Sequence, residues 1–437
     1  MKRRTFDNGF RVIHQKSHIG LKSASIQVIC DVGSIHEAED FRGAAHFIEH
    51  MCFKGTHKYT SSFEISSLID KTGSDINAFT DKRYTKYYID TTSENVPQYI
   101  HLLSDILLNS VFDKKEYEKE KAVVREEMIR DADDSEMKVL DNADAVIYAG
   151  SPYEHSVDEL KYHNGAHVLE HVKLVEMYKT FYIPSKMILS VCSANSFNAI
   201  CDAVSHSFFA KSRSASCPPQ PILSLAPING PVYKIVRAPI NSIHLCVGFR
   251  TCSIHDEERY MLKMLKRVLS GSMSSRLFMI LREENGLTYT SYAGNDYYEH
   301  TGSFMIYAEC DANKVFVNGA KNKPGVFPLI IKMIRDLIKD GITHAELELA
   351  KSSYRGKMLV SVENADSIAS YNAKNALFGI VDHPEYHMVY EKIIKPLSLG
   401  EINSAIRKYF RRENMVVSVI GRAPPTEKML EKYVDLA

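Results

Sequence analysis

The sequence predicts an α+β chain made of two related halves, and three observations carry that expectation. A Ser-, Pro- and Ala-rich stretch with five prolines, KSRSASCPPQPILSLAPINGP at residues 211–231, interrupts the chain near its middle and reads as an extended linker. On either side runs the same order of patterns: β-rich segments, helical ones, a return to strand, then long helices. Short segments also recur, since Ser34-Ile-His-Glu37 matches Ser253-Ile-His-Asp256, and Ser61-Ser62 to Gly73 matches Ser274-Ser275 to Gly286 at a constant offset. A chain of 437 residues exceeds what one core usually fills (roughly 250 to 300), so more than one domain is expected. The boundaries fall at 1–210 and 232–437, with 211–231 between them.

In chain order, Phe10 to His14 is the first strand and Ala24 to Val32 the first long β-rich run. Residues 43–56, Gly-Ala-Ala-His-Phe-Ile-Glu-His-Met-Cys-Phe-Lys-Gly-Thr, hold a short helix, and Tyr84 to Thr91 returns to strand. Asp113 to Asp131 reads as a long charged helix with Ala122, Val123, Val124 and Met128 as its apolar positions. In the second half, Ser242 to Phe249 and Ser303 to Cys310 repeat the strands, and His344 to Met358 repeats the long helix.

The short helix carries chemistry. His46 and His50 are four residues apart, which on a helix separates them by about 40°, so both rings can reach one cation. Glu49 lies beside them without having to be a ligand. The order His-x-x-Glu-His mirrors the commoner zinc-peptidase order His-Glu-x-x-His. Catalytic zinc usually takes a third protein ligand and leaves a place for water. In the long helix, Glu120 and Glu127 are seven residues apart, close to two turns, and share a face, so one can bind metal while the other orients a ligand. The alternative for these carboxylates is an ordinary solvated face.

Two further features need separating from the site. His167-Val-Leu-Glu-His171 repeats the His-x-x-Glu-His pattern, but Val168, Leu169, Val172, Leu174, Val175 and Tyr178 make it read as an amphipathic helix. Cys52, about 200° around the helix from His50, reads as buried packing.

With these residues in hand, the chain resembles the pitrilysin or insulinase family of zinc peptidases, in the branch that includes mitochondrial processing peptidase and its bacterial relatives. The family pattern is His-x-x-Glu-His, 76 residues, then Glu, and positions 51 to 126 between His50 and Glu127 make that gap. His171 fails the same test, because Gly248 stands at that distance. The resemblance implies one Zn2+ per chain held by His46, His50 and Glu127, with Glu49 as general base and Glu120 as the supporting carboxylate. It implies that Gly73-Ser-Asp-Ile-Asn-Ala-Phe-Thr80 is the active-site strand, with Asn77 and Phe79 at the bound peptide. Arg282 and Tyr289, seven residues apart, match the family's substrate contacts in the second half. The implied fold is two homologous α/β rolls, each a mainly antiparallel sheet packed against helices, and the implied assembly is a homodimer, or a heterodimer with a related chain.

The duplication supplies an internal control. In a comparison that is ungapped only in patches, the second half offers Leu265-Lys-Arg-Val-Leu269 against His46 to His50, and Ala350 and Lys357 against Glu120 and Glu127. The metal chemistry is present in one half and missing in the other, which favours a functional role for it.

Composition sets limits. A formal charge of zero argues against a nucleic-acid or anionic-membrane partner recognised by bulk charge, and no apolar run approaches the roughly 18 residues that a span needs. Eight scattered cysteines without a Cys-x-x-Cys pair, and no visible secretory or mitochondrial leader ahead of the first strand, lead to a cytoplasmic expectation. The expected activity is zinc-dependent hydrolysis of peptide bonds in short or unfolded polypeptides. The alternative is a non-cleaving peptide-binding or scaffold subunit, which the intact His46, Glu49, His50 and Glu127 disfavour.

Overall fold

The computed structural model describes all residues except 18–19, 158–161, 164–165, 168, 213–217, 222, 319–322 and 437. Its strands are β1 Lys2–Thr5, β2 Arg11–Lys16, β3 Ser23–Cys30, β4 Asp75–Thr80, β5 Thr85–Thr92, β6 Tyr162–His163, β7 Ala166–His167, β8 Met187–Ser193, β9 Val232–Arg237, β10 Ser242–Thr251, β11 Thr288–Tyr297, β12 Gly302–Asp311, β13 Val317–Asn318, β14 Lys323–Pro324 and β15 Met415–Gly421. The helices are α1 Ala44–Cys52, α2 Ser62–Asp70, α3 Val96–Leu108, α4 Lys114–Asp133, α5 Ser135–Ile147, α6 His171–Phe181, α7 Phe197–His206, α8 Phe208–Lys211, α9 Glu258–Ser270, α10 Val326–Asp340, α11 His344–Ser361, α12 Ala365–Leu377, α13 Leu399–Tyr409 and α14 Glu427–Glu431. None of them is long and apolar enough to cross a membrane.

Two compact units form, each a sheet packed against helices. The first comprises Met1–Ile129, His155–Pro221 and Met358–Met388; the second comprises Arg130–Glu154, Ile222–Lys357 and Val389–Ala437. The units therefore depart from the expected halves 1–210 and 232–437, because each takes in a segment from the other half. Of the expected linker, residues 213–217 and 222 lie outside the described residues, and 218–221 and 223–231 form neither helix nor strand.

The first unit's sheet runs β1-β2-β8-β3-β5-β4, and the second unit's runs β11-β12-β10-β15-β9. Read from the other end, the second order is the first without β1. In both, one pair is parallel (β2 with β8; β9 with β15) and every other pair antiparallel. The repeated segments of the sequence thus build the same topology twice.

Strand β3 shows how the first sheet is held. Ala24, Ile26, Val28 and Cys30 point into the main core with Phe10, Phe47, Tyr87, Leu103 and Leu189, as alternation requires. The opposite face carries Ser25 and Gln27, yet both are buried, because α12 covers it. Gln27 Nε2 donates to Asp366 Oδ1 at 2.6 Å, Ser370 Oγ donates to Gln27 Oε1 at 2.9 Å, and Ser190 Oγ donates to the Ala369 carbonyl at 2.8 Å. The Gln27 and Ser190 side chains thus find partners, which makes their burial tolerable.

The second sheet is covered in the same way by α5. Gly248 of β10 leaves room for it, since a Cβ there would come within 2.9 Å of Ile147 Cδ1. Helices α5 and α12 each have 13 residues, and each is capped by a side chain: Asp134 accepts from the Glu136 and Met137 amides, and Asn364 from the Asp366 amide. Asp134 and Asn364 also lie at the same interval as Glu127 and Lys357, so α5 and α12 are repeat equivalents that sit on opposite sheets.

Candidate metal centre

Helix α1 divides cleanly into two faces. Ala44, Ala45, Phe47, Ile48, Met51 and Cys52 are buried, while His46, Glu49 and His50 share the other side at the i, i+3, i+4 spacing. Cys52 is in the core, as its helical phase requires. The helix begins at Gly43, whose φ of 84° is a left-handed conformation that glycine adopts without steric cost. Glu37 closes the turn by accepting from the Gly43 and Ala45 amides at 2.8 and 2.7 Å. Burial pushes the Glu37 carboxyl up to about 8, against the pull of those two amides, Arg42 and His46.

Helix α4 supplies the other side. Tyr117, Glu120 and Val124 are buried along one stripe, and Glu127 continues it two turns beyond Glu120. The result is a convergence of three donors: His46, His50 and Glu127 offer ligand atoms that all lie within 4.8 Å of one another. His50 Nε2 is 3.2 Å from His46 Nε2 and 3.2 Å from Glu127 Oε2, and His46 Nε2 is 3.9 Å from Glu127 Oε2. Among the described residues no other group of three His, Cys, Asp or Glu side chains converges in this way.

The surrounding contacts orient this set. His50 Nδ1 lies 3.0 Å from Glu120 Oε2, and with Nδ1–H donating there Nε2 is the nitrogen left to bind a metal beside His46 and Glu127. Lys54 Nζ holds the other Glu120 oxygen at 2.5 Å. Thr80 Oγ1 donates to Glu49 Oε2 at 2.6 Å and fixes the direction of that carboxylate. Two imidazoles and one carboxylate, with a carboxylate behind one imidazole, form a donor set that suits zinc with a position left for water.

Glu120 is 5% exposed. Burial alone would raise its carboxyl, but the hydrogen bonds from His50 and Lys54 outweigh that and hold it below the usual carboxylate range. Ionised Glu120 therefore stabilises the fold at pH values above its unfolded-state pKa (~4.3), and the contribution disappears as pH falls through the lowered folded value. Glu120→Gln is expected to weaken zinc binding about 10- to 100-fold, as loss of such a supporting carboxylate does, and to flatten the acid limb of the melting profile. Chelator competition and melting temperature against pH measure both effects; unchanged zinc affinity would take Glu120 out of the site.

The other sequence-predicted residues fall in three places. Asn77 and Phe79 are on β4, an edge strand whose outer side carries no strand among the described residues. Their side chains alternate with that of Thr80 and so leave the sheet on the face away from Glu49, which makes the backbone edge what β4 presents to the site. Arg282 and Tyr289 lie in the second unit and meet each other: the guanidinium sits 4.7 Å from the Tyr289 ring centroid and Nη1 donates to the Tyr289 carbonyl at 3.3 Å. Tyr289 is 81% exposed, so it is not a packed strand residue. The second His-x-x-Glu-His pattern is not on one helix, because His167 is in β7 and α6 starts at His171. His171 Nε2 instead bonds the Phe112 carbonyl at 2.6 Å and its ring packs edge-on against Tyr117. Thr80, Lys54 and Glu37 were not singled out by the sequence, since no spacing rule ties them to the motif.

Known proteins resemble this chain over most of its length. Residues 11–161 match the insulinase family (peptidase family M16), and residues 169–354 match the peptidase M16 inactive domain. An uncharacterized zinc protease of Bacillus subtilis (strain 168), YmxG, is 32% identical over 97% of this chain and 100% of its own length. The chain belongs to the insulinase family, peptidase family M16. An uncharacterized zinc protease of Mycobacterium tuberculosis (strain ATCC 25618 / H37Rv) is 27% identical to this insulinase-family chain over 94% of it and 91% of the relative. At the level of fold, a protease from Helicobacter pylori superposes with a TM-score of 0.85 at 18% identity, covering 96% of this chain and 99% of that one. A peptidase M16 inactive domain structure from Pseudomonas fluorescens gives 0.82 at 16% identity, covering 97% and 98%. These relatives place the chain, at family level, among zinc-dependent peptide hydrolases.

Proposed function

We propose that this protein is a zinc-dependent endopeptidase acting on short or unfolded polypeptides. The observation that carries the reading is the meeting of His46 Nε2, His50 Nε2 and Glu127 Oε2 with Glu49 alongside. Zinc held by this set would polarise the scissile carbonyl and bring the pKa of a water towards about 7. Glu49 then takes a proton from the attacking water on a carboxylate oxygen and passes it to the leaving amine nitrogen as the C–N bond breaks. The Thr80 hydroxyl keeps Glu49 pointed for both transfers.

The open edge of β4 would align the substrate as an added strand, which recognises backbone and asks little of side chains. Extended, unfolded segments satisfy that demand and folded proteins do not. Arg282 and the exposed Tyr289 are the substrate contacts assigned to the second unit, and a second copy of the chain is the partner assigned to it. The scaffold alternative finds no support in a site that keeps every group the chemistry requires.

The test combines metal analysis, molecular mass in solution and a mixed-peptide digest read by mass spectrometry. One zinc per chain, a doubled mass and internal cleavages abolished by a chelator and restored by zinc are expected. A zinc-loaded chain that leaves every peptide intact would refute the enzyme reading.

A further inference from the structure

A carboxylate outside the donor set caps the metal helix. Helix α1 begins at Gly43, which has no side chain to offer its own first turn. The first amides of a helix find no carbonyl within it. Glu37 supplies acceptors from beyond the short turn Glu39–Phe41, taking the Gly43 amide on Oε2 at 2.8 Å and the Ala45 amide on Oε1 at 2.7 Å. Both oxygens are engaged, and the residue is buried.

The second unit shows what the shorter acidic side chain does at the matching place. Asp256 follows Ser253-Ile-His as Glu37 follows Ser34-Ile-His, and its Oδ2 accepts from the Ser253 amide at 2.8 Å, within its own turn. Helix α9 opens at Glu258, directly behind that turn, whereas Glu39–Phe41 stands between Glu37 and α1. One more methylene and the intervening turn convert a local bond into a clamp on the following helix. The unit without the histidine pair lacks the clamp as well.

The turn that Glu37 fixes is the one that carries His46. His46 follows Ala45 directly, and it stands close enough to Glu37, with Arg42, to act on its charge. His50 lies one turn further on, with Glu120 behind it. A helix of 9 residues holds its own ends poorly, since isolated helices under about 12 to 15 residues are marginal in water. Metal–nitrogen distances tolerate only about 0.2 Å of misplacement, so a first turn that frays takes His46 out of the set and leaves His50 in place. We propose that Glu37 is a positioning residue for the metal centre: its carboxylate locks the first turn of α1 and thereby sets the His46 ring. This role, which rests on the zinc reading of His46, His50 and Glu127, makes Glu37 necessary although it is not one of the three donors.

Hydrogen exchange on the full parent chain gives the first measurement. The Gly43 and Ala45 amides should exchange slowly, as bonded donors in a stable turn do, and free exchange at both would overturn the proposal without any variant. Chelator competition and the visible spectrum of the cobalt-substituted chain give the second, on the parent, Glu37→Asp and Glu37→Gln. Glu37→Asp shortens the reach and Glu37→Gln turns one acceptor into a donor, so each should weaken zinc binding about 10- to 100-fold, the cost of losing a group that supports a metal ligand. The cobalt bands should shift in both variants, which a purely structural loss would not cause. The zinc-loaded melting temperature should fall further than the zinc-free one, because binding contributes to the first alone. Parental zinc affinity and an unshifted cobalt spectrum in the folded variants would remove Glu37 from the site and leave the metal reading standing. A parent chain that binds no zinc would overturn both.

Discussion

Glu49→Gln is expected to keep a full complement of zinc and to lose peptide cleavage by about 100- to 10,000-fold, the range that a positioned general acid–base supplies. The amide keeps the size of the side chain and an oxygen for the Thr80 hydroxyl to bond, so α1 and its two imidazoles should stay in place. What disappears is the ability to take and return a proton. Initial rates on an internally quenched peptide, with metal content on the same sample, give the answer. Near-parental turnover in the zinc-loaded variant would move the proton transfers to another group.

Glu127→Gln should act on the metal instead. With the carboxylate gone, two neutral imidazoles remain, and the charge that offset much of the cation is lost. Removing a residue that only supports a ligand costs roughly 10- to 100-fold in metal affinity, so removing the ligand's charge should cost about 100-fold or more. Cleavage should fall with occupancy and recover in part as zinc is raised. The two substitutions therefore separate: one variant holds zinc and does no chemistry, and the other does chemistry only when zinc is forced upon it. A chelator titration that finds parental zinc affinity in Glu127→Gln would put the ion elsewhere.

How much of this was legible in the sequence depended on the range of each interaction. The His46, Glu49 and His50 face is a local consequence of helical periodicity, and the seven-residue interval between Glu120 and Glu127 fixes their common face in the same way. That α1 and α4 meet is a tertiary fact, and it came from resemblance and not from either pattern. The contacts that tune the site were hidden for the same reason: Thr80 reaches Glu49 across 31 positions, and Lys54 reaches Glu120 from a helix end with no distinctive sequence signal. The His167 pattern misled, because its apolar spacing fits a helix that in fact starts only at His171. The comparison of the halves also set Leu265 and Leu269 of α9, which are buried in the core, against His46 and His50. Burial sets that register, and a pairwise match of letters does not.

The placement of α5 and α12 has a consequence for biosynthesis. The sheet that carries α1 is built from strands complete by Ser193, but the helix that covers the polar side of β3 and β8 lies at Ala365–Leu377. A nascent chain emerging from the ribosome must keep the first sheet half-dressed while more than a third of the polypeptide is still to be made, and loop closure over that span is slow. Proteolytic separation at the proline-rich segment would strip each sheet of a helix encoded on the other fragment. The two fragments should then recover a native fold only when mixed, each acting as the other's missing part.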